Sequence, residues 1–348
     1  MMKRSLRLSA IFALIFLTTV AFGQSSKKDK IRCISFYNLE NLYDTINQPD
    51  VDDEEFTPAG KSIWDSKKYQ AKLTNISDVI SKLGKEVTPE GPAVMGLCEI
   101  ENLGVLKDLV AQPAIKKRKY QIVHFDSPDK RGIDVAMIYQ PKYFKVTNTT
   151  STRLFIEGDD NFFSRDQLVV SGVFDGEPMH FIVNHWPSRS GGQEKSEAKR
   201  IAAAQLTRHL VDSLVAINPK AKIMVMGDLN DDPSDVSVSK YLNTTNDKNA
   251  LSGSQLFNPM ADILKNGTGT LQYRDKWNLF DQIILSPAFF DGTKSSFKFQ
   301  EAQVFNRPFL IQQTGEYKGY PLRTFGGKDY LNGYSDHLPV MVYIIKKG

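Results

Sequence analysis

Residues able to cleave a phosphodiester recur along this chain at or near the ends of apolar runs. The last group, Gly333-Tyr334-Ser335-Asp336-His337-Leu338-Pro339-Val340, sets a carboxylate that can hold a hard metal ion beside an imidazole that can face a phosphate oxygen. Alone, the Asp-His pair reads as a surface turn before a last strand over residues 339–345. Its companions change that reading. Glu99 interrupts the apolar run 94–100, and a carboxylate at a strand end needs a partner to offset its desolvation. Asn38 and Asp336 are candidate co-ligands for the same cation. Asp228 and Asn230 lie two apart, so on an extended strand end both point to one side. One would orient a water and the other donate to the charge that develops in the transition state. His185 and His337 add two imidazoles, and Asp281 would hold one of them charged by raising its pKa. Each residue also has a plainer reading. Asn38 and Asn230 fit turns, Asp228 fits the start of a turn after Gly227, and His185 fits a strand histidine bonded to backbone. Asp281 fits a pair with Lys276 or Arg274.

Buried strands would have to deliver these side chains to one place. Apolar, β-prone runs stand at 31–37, 92–100, 120–125, 133–139, 144–146, 168–174, 180–185 and 223–226. Tyr69, Leu73, Ile76, Val79, Ile80 and Leu83 recur at helical spacing, with Gly84 as the stop, and that stripe reads as core. Asn102 is placed to cap a short helix through Leu109 and Val110, and a long amphipathic helix is predicted over 194–217. A turn at 127–132 joins two of the strands, and a polar loop carries Arg153 and Arg165. Strands alternating with few, long helices predict an α/β (α+β) sandwich of two sheets covered by helices. The acidic stretch 50–55 reads as a solvated surface, with a weak calcium site as the alternative.

Lys3, Arg4 and Arg7 precede an apolar run, 8–22, that is too short for a stable span, and Ala21-Phe22-Gly23 fits a cleavage site. The expectation is an exported protein, periplasmic or secreted, with a signal peptide over 1–23, a mobile leader over 24–30 and one domain over 31–348. No second apolar stretch approaches membrane-spanning length, so stable membrane insertion is not expected. The formal charge is +4 and falls to +1 without the three basic residues of the signal. Net charge therefore gives no argument for a polyanionic partner. Cys33 and Cys98 are expected as buried free thiols. If Asn38 and Glu99 meet at one ion from neighbouring strands, the cysteines are staggered by about four residues, roughly 13 Å, beyond a disulfide's reach.

The ordered set Asn38 in Phe-Tyr-Asn-Leu-Glu, Glu99 in Leu-Cys-Glu-Ile, Asn184-His185, Gly227-Asp228-Leu229-Asn230, Asp281-Gln282-Ile283 and Ser335-Asp336-His337 closely resembles the endonuclease/exonuclease/phosphatase family, the deoxyribonuclease I-like fold. The resemblance runs from residue 31 to 345. It implies a four-layer α/β/β/α sandwich and Mg²⁺, with Mn²⁺ or Ca²⁺ as alternatives. It makes Glu99 the main metal ligand, with Asn38 and Asp336 near it. Asp228 and Asn230 would orient water and stabilise the transition state, and His337, paired with Asp281, would act as base or phosphate donor. His185 would assist the leaving group or the phosphate. Asp134 would be its acidic partner, or else a salt-bridge partner of Arg131.

Within the family, Asn-His-Trp-Pro-Ser-Arg-Ser-Gly-Gly, Arg131-Gly132-x-Asp134 and Trp277 before Asp281 look most like the secreted bacterial nuclease-like branch. Arg189 with the amides of residues 190–192 would then cradle a phosphate, or form an exposed loop. Arg131 and Arg165 are further phosphate candidates, and Trp277 joins the substrate-contacting set. The stretch 317–334 interleaves Tyr and Phe with Lys and Arg, which fits either stacking on bases or a loop packed on itself. The expected function is metal-dependent phosphodiester hydrolysis by a monomeric exported nuclease acting on DNA or RNA. The alternatives are a phosphoesterase on a lipid headgroup or small phosphate ester, and an inactive nucleic-acid-binding protein.

Overall fold

A computed structural model describes residues 29–292 and 295–348. The signal segment 1–23 and residues 24–28 of the leader lie outside the described residues. Lys30, assigned to the leader from sequence, instead opens the first strand.

One sheet has six strands, ordered β14-β17-β1-β2-β4-β3: β1 (Lys30–Leu42), β2 (Pro92–Ile100), β3 (Gln121–His124), β4 (Asp134–Tyr139), β14 (Lys298–Val304) and β17 (Val340–Lys346). The other has seven, ordered β5-β6-β7-β8-β13-β10-β9: β5 (Phe144–Thr152), β6 (Gln167–Phe174), β7 (Glu177–His185), β8 (Ile223–Asp228), β9 (Thr244–Thr245), β10 (Leu256–Phe257) and β13 (Asp281–Leu285). Two small hairpins, β11 (Leu271–Tyr273) with β12 (Lys276–Asn278) and β15 (Phe325–Gly326) with β16 (Asp329–Tyr330), decorate one end.

The central strands are apolar on both faces because both faces are covered. Ile34 and Phe36 of β1, Val94 of β2, and Met224 and Met226 of β8 point into the space between the sheets. Cys33, Tyr37, Met95 and Leu97 point the other way, onto helices α1 (Ser66–Lys82) and α2 (Leu103–Val110). Ile182, Ile223 and Val225 face α3 (Gln193–Ile217), whose Ala203 and Ala204 allow a close approach. The result is the expected α/β/β/α layering; a fourth helix, α4 (Met260–Lys265), is short. A Cβ on Gly96 would lie 2.7 Å from the Met226 sulfur, so the sheets touch there only because that side chain is missing. Asp65 caps α1 by accepting from the Lys68 amide, and Asn102 caps α2 by accepting from Val105. Both cysteines are buried and free, and they lie on opposite faces of their sheet.

Edge strands depart from the expectation. β5 runs on to Thr152 through a half-exposed Thr/Asn/Ser stretch, and β14 is a polar edge strand that the apolar pattern gave no sign of. Polar edges resist pairing with other chains, and they also hide from a reading based on apolar runs. At the site end, the parallel pairs β1–β2 and β7–β8 present their C-terminal ends, while antiparallel β13 and β17 enter from that same end.

Candidate active site

Strand register brings the site together. His185, Asp228 and Asp281 sit opposite one another on adjacent strands β7, β8 and β13, forming one row across the second sheet. From the first sheet, Asn38 Nδ2 donates to Asp228 Oδ2 at 3.0 Å, a buried bridge between the sheets. Ser335 donates to the Asn38 carbonyl at 2.7 Å and accepts from the His337 amide at 3.1 Å, which fixes the turn before β17. His337 Nδ1 then meets Asp281 Oδ2 at 2.7 Å. Asp228 Oδ2 is the hub: His337 Nε2 lies 3.8 Å away and His185 Nε2 3.7 Å, with Glu99 Oε1 3.9 Å beyond His185. The resemblance's set Asn38, Glu99, His185, Asp228, Asn230, Asp281, Asp336 and His337 therefore converges at one end of the sandwich.

Asn230 reaches the site differently from its expectation. β8 ends at Asp228, and Asn230 is left-handed at φ +51° rather than extended. Its amide N–H donates to Asp228 Oδ1 at 2.9 Å, and its side-chain amide donates to the Trp186 carbonyl at 3.0 Å. Glu40, Asn41 and Glu99 are left-handed as well. Non-glycine residues in that region store strain, and four of the twelve among the described residues stand at the site.

Opposite electrostatic fates separate the two histidines. Burial works against charge on His337, but the Asp281 and Asp228 carboxylates outweigh it and hold the imidazole well above the usual range. Burial, the nearby Arg165 and Arg131 cations and His337 push His185 well below that range. One imidazole is charged and the other neutral at the same pH. Asp228 is pushed up to about 6, chiefly by burial, against the lowering effect of His337. Two buried atoms of these residues, His185 Nδ1 and Asp281 Oδ1, have no hydrogen-bond partner among the described residues.

The donor set fits a hard divalent cation. Glu40, Glu99, Asp228, Asp281 and Asp336, with Asp129 at the margin, outnumber Lys72, Arg323, the charged His337, Arg131 and Arg165 by one. Glu99 spends one oxygen on the Asn41 amide at 2.9 Å and leaves the other turned toward His185. Carboxylates and amide oxygens are the ligands that Mg²⁺, Mn²⁺ and Ca²⁺ prefer.

Several expected contacts are made elsewhere. Asp134 bonds His124 Nε2 at 2.8 Å and the Ser127 amide at 2.7 Å, so it partners neither His185 nor Arg131. Arg165 is buried against Asp129 at 3.0 Å and acts on His185 through its charge. Arg189 is not a free cradle: it donates to the Asn230 carbonyl at 2.7 Å and pairs with Asp231 and Asp235, bracing the Asn230 turn. Arg131 is half-exposed on the rim of a cleft beside Asn41. Trp277 packs on the α1/α2 side core, and alternation along β12 puts Lys276, not Trp277, on the cleft side. The 317–334 stretch packs partly on itself, Phe325 against Tyr330 and Tyr317 against Tyr320, and partly on the body of the protein, Phe325 against Trp64 and Tyr334 against Phe309.

Sequence reasoning missed Glu40, Lys72 and Arg323. Lys72, 1% exposed, bonds Thr324 Oγ1 at 2.6 Å and lies 3.4 Å from Glu40. Arg323 bridges Glu40 and Asp336 at 3.2 and 2.7 Å. The signal was present, since Lys72 falls on the apolar stripe between Tyr69 and Ile76, where a charge must find a partner.

A model of the Endonuclease/Exonuclease/phosphatase family matches residues 33–346. Among solved structures, an endonuclease/exonuclease/phosphatase family protein from Bacteroides thetaiotaomicron is similar at 17% identity and a TM-score of 0.55, with 92% of this chain and 99% of that one covered. A mannosyl-6-phosphatase from Bacteroides thetaiotaomicron VPI-5482 is similar at 17% identity and a TM-score of 0.54, covering 90% and 99%. TDP2 from D. rerio, complexed with single strand DNA product, is similar at 14% identity and a TM-score of 0.51, covering 90% and 98%. At these identities the likeness is one of fold. No curated protein sequence matches the chain.

Proposed function

The chain belongs to the endonuclease/exonuclease/phosphatase family, and on that premise we propose that it is a divalent-metal-dependent phosphodiesterase acting on nucleic acid. The observation that carries this reading is the Asp228 hub, a buried carboxylate between a charged and a neutral imidazole. Environments that push neighbouring groups apart in this way assign acid and base roles.

Glu99, with Asn38 and Asp336 beside it, would hold the cation. When bound, such an ion supplies Lewis-acid polarisation of a phosphoryl oxygen. Asp228, pushed up to about 6, accepts the proton of an attacking water near neutral pH. His337, kept charged by Asp281, donates to the phosphate as negative charge builds on its oxygens. His185, neutral and buried, would exchange a proton at the leaving-group side. Asn230 holds Asp228 through its backbone N–H while its side-chain amide is anchored on the Trp186 carbonyl.

Two features favour nucleic acid: an adjacent cleft of about 790 Å³ rimmed by Arg274, Lys276 and Tyr273, and the DNA product bound to the similar TDP2 structure. A small phosphate ester is the second reading, favoured by the mannosyl-6-phosphatase likeness. We further propose Mg²⁺ as the cofactor, a monomer as the working form and export by the segment 1–23.

The test is turnover of supercoiled plasmid, single-stranded RNA, bis-p-nitrophenyl phosphate and p-nitrophenyl phosphate, each with Mg²⁺ and with EDTA. Metal-dependent cleavage of the nucleic acids and the diester is expected. Turnover of the monoester alone would replace the proposal with the second reading. No turnover by wild type, matched by Glu99→Ala, would leave a binding protein.

A further inference from the structure

The hairpin of β11 and β12 stands beside the catalytic residues and takes no part in the mechanism above. It pairs Leu271 with Asn278, Gln272 with Trp277 and Tyr273 with Lys276. Its two-residue turn, Arg274-Asp275, is left-handed at both positions, φ +49° and +61°, without a glycine. Two left-handed residues give the turn the twist that a tight hairpin needs. The Tyr320 hydroxyl then pins it, accepting from the Asp275 amide at 2.8 Å and donating to the Asp275 carboxylate at 3.0 Å. This is a fixed arm rather than a loose loop.

Alternation sends the two faces of the arm to different places. Trp277 goes to the core, while Tyr273 and Lys276 face the cleft that opens from Asn230 and Asp336. Tyr273 is 61% exposed, with the Arg274 guanidinium 5.2 Å from its ring. The cations around this cleft divide into two kinds. Arg189 and Arg323 are each held by two carboxylates. Arg274 and Lys276 form no ion pair among the described residues, so their charge is available to a ligand. The cleft on the other side of Arg323 is different, because Glu40, Asp52 and Glu55 line it.

We propose that the β11–β12 hairpin is a docking arm for an unpaired nucleic-acid strand. Tyr273 stacks on a base, and Arg274 and Lys276 take the phosphates that flank it. An exposed ring beside unpaired cations is the arrangement that grips single strands, since every base offers a face to stack and a duplex hides it. The proposal rests on the nucleic-acid reading above and gives that reading a direction: the strand leaves the scissile phosphate on the arm's side.

The test is fluorescence anisotropy in EDTA, with a short fluorescein-labelled oligothymidylate, alone and annealed to oligoadenylate. The mature wild type is compared with Tyr273→Ala, Tyr273→Phe and the double variant Arg274→Ala/Lys276→Ala. Tyr273→Ala should weaken single-strand binding about tenfold, Tyr273→Phe should retain it, and the duplex should bind less tightly than the single strand. The double variant should flatten the slope of log K against log salt by about 1.4, because two phosphates are no longer neutralised. Turnover of bis-p-nitrophenyl phosphate with Mg²⁺ should be the same in all four proteins. Single-strand binding unaffected by Tyr273→Ala, or an equal loss on the small diester, overturns the arm while leaving the nuclease reading intact. A wild type that turns over the small diester but binds no oligonucleotide overturns both.

Discussion

The two ends of the sandwich bury charge in opposite ways. At the end away from the site, Glu177 accepts from Lys222 and Lys346 at 2.7 Å each, and from Ser296 Oγ and the Phe297 amide at 3.1 Å each. Lys222 is used up in turn by Ser296 and the Phe297 carbonyl, and Arg32 pairs with Asp175 at 2.7 Å. Each of these charges is answered by protein. At the catalytic end, carboxylates outnumber cations, His185 Nδ1 and Asp281 Oδ1 are unanswered, and four left-handed residues store strain. The same strands build both ends, so the difference lies in what each end is for. One closes the fold, and the other leaves capacity for a cation and a phosphate.

Swapping residues at the two ends should therefore separate activity from stability. The largest effect belongs to Asp228→Asn: turnover of bis-p-nitrophenyl phosphate should fall by about 10²–10⁴, with no loss of stability in urea unfolding. Lys222→Ala should do the reverse. It leaves Glu177 with a partly buried, underpaired charge and should cost about 3–5 kcal/mol, while turnover per folded molecule stays at the wild-type level.

The pH dependence should differ in sign between the ends. Asp228 binds its proton more tightly folded than unfolded, so its ionisation costs stability, increasingly from about pH 4 to about 6. In EDTA, Asp228→Asn should be more stable than wild type at pH 7, with the gain vanishing by about pH 4. Burial opposes ionisation of Glu177, but Lys222, Lys346 and the Phe297 amide outweigh it and hold the carboxyl below the usual 4.5. It adds stability above that value and loses it as the pH falls further, so the deficit of Glu177→Gln should shrink below about pH 4. Urea unfolding across this range reads both, and two profiles of the same sign would erase the comparison. The smallest effect is Lys30→Ala, whose half-exposed ammonium lies 4.0 Å from Asp175; the change in stability should stay within about 0.5 kcal/mol.

Much of this was legible in the sequence for a simple reason. Strands buried on both faces must be apolar, so a polar residue that ends such a run, as Glu99 and Asp228 do, marks a place where function overrides packing. The order of those breaks along the chain was enough for the architecture and for the eight residues that converge. What escaped was pairing across long separations. Lys72 finds Glu40 only once α1 is stacked on its sheet, Arg189 finds Asp235 between the loops that follow β7 and β8, and Asp134 finds His124 across the β3–β4 pair, and no local pattern names such partners. Trp277 shows a second limit. One residue of register exchanges the face of a strand, so the aromatic beside the cleft is Tyr273 instead. The polar continuation of β5 past residue 146 and the whole of β14 escaped because they carry no apolar run.

Asp228 sits where it does for turnover and at some cost to the fold. The most direct measurement is the rate of bis-p-nitrophenyl phosphate hydrolysis by wild type and Asp228→Asn, each in Mg²⁺ and in EDTA. Metal-dependent turnover by the wild type that is lost in both EDTA and Asp228→Asn is the predicted result. Hydrolysis that persists in Asp228→Asn, or that ignores EDTA, would contradict it.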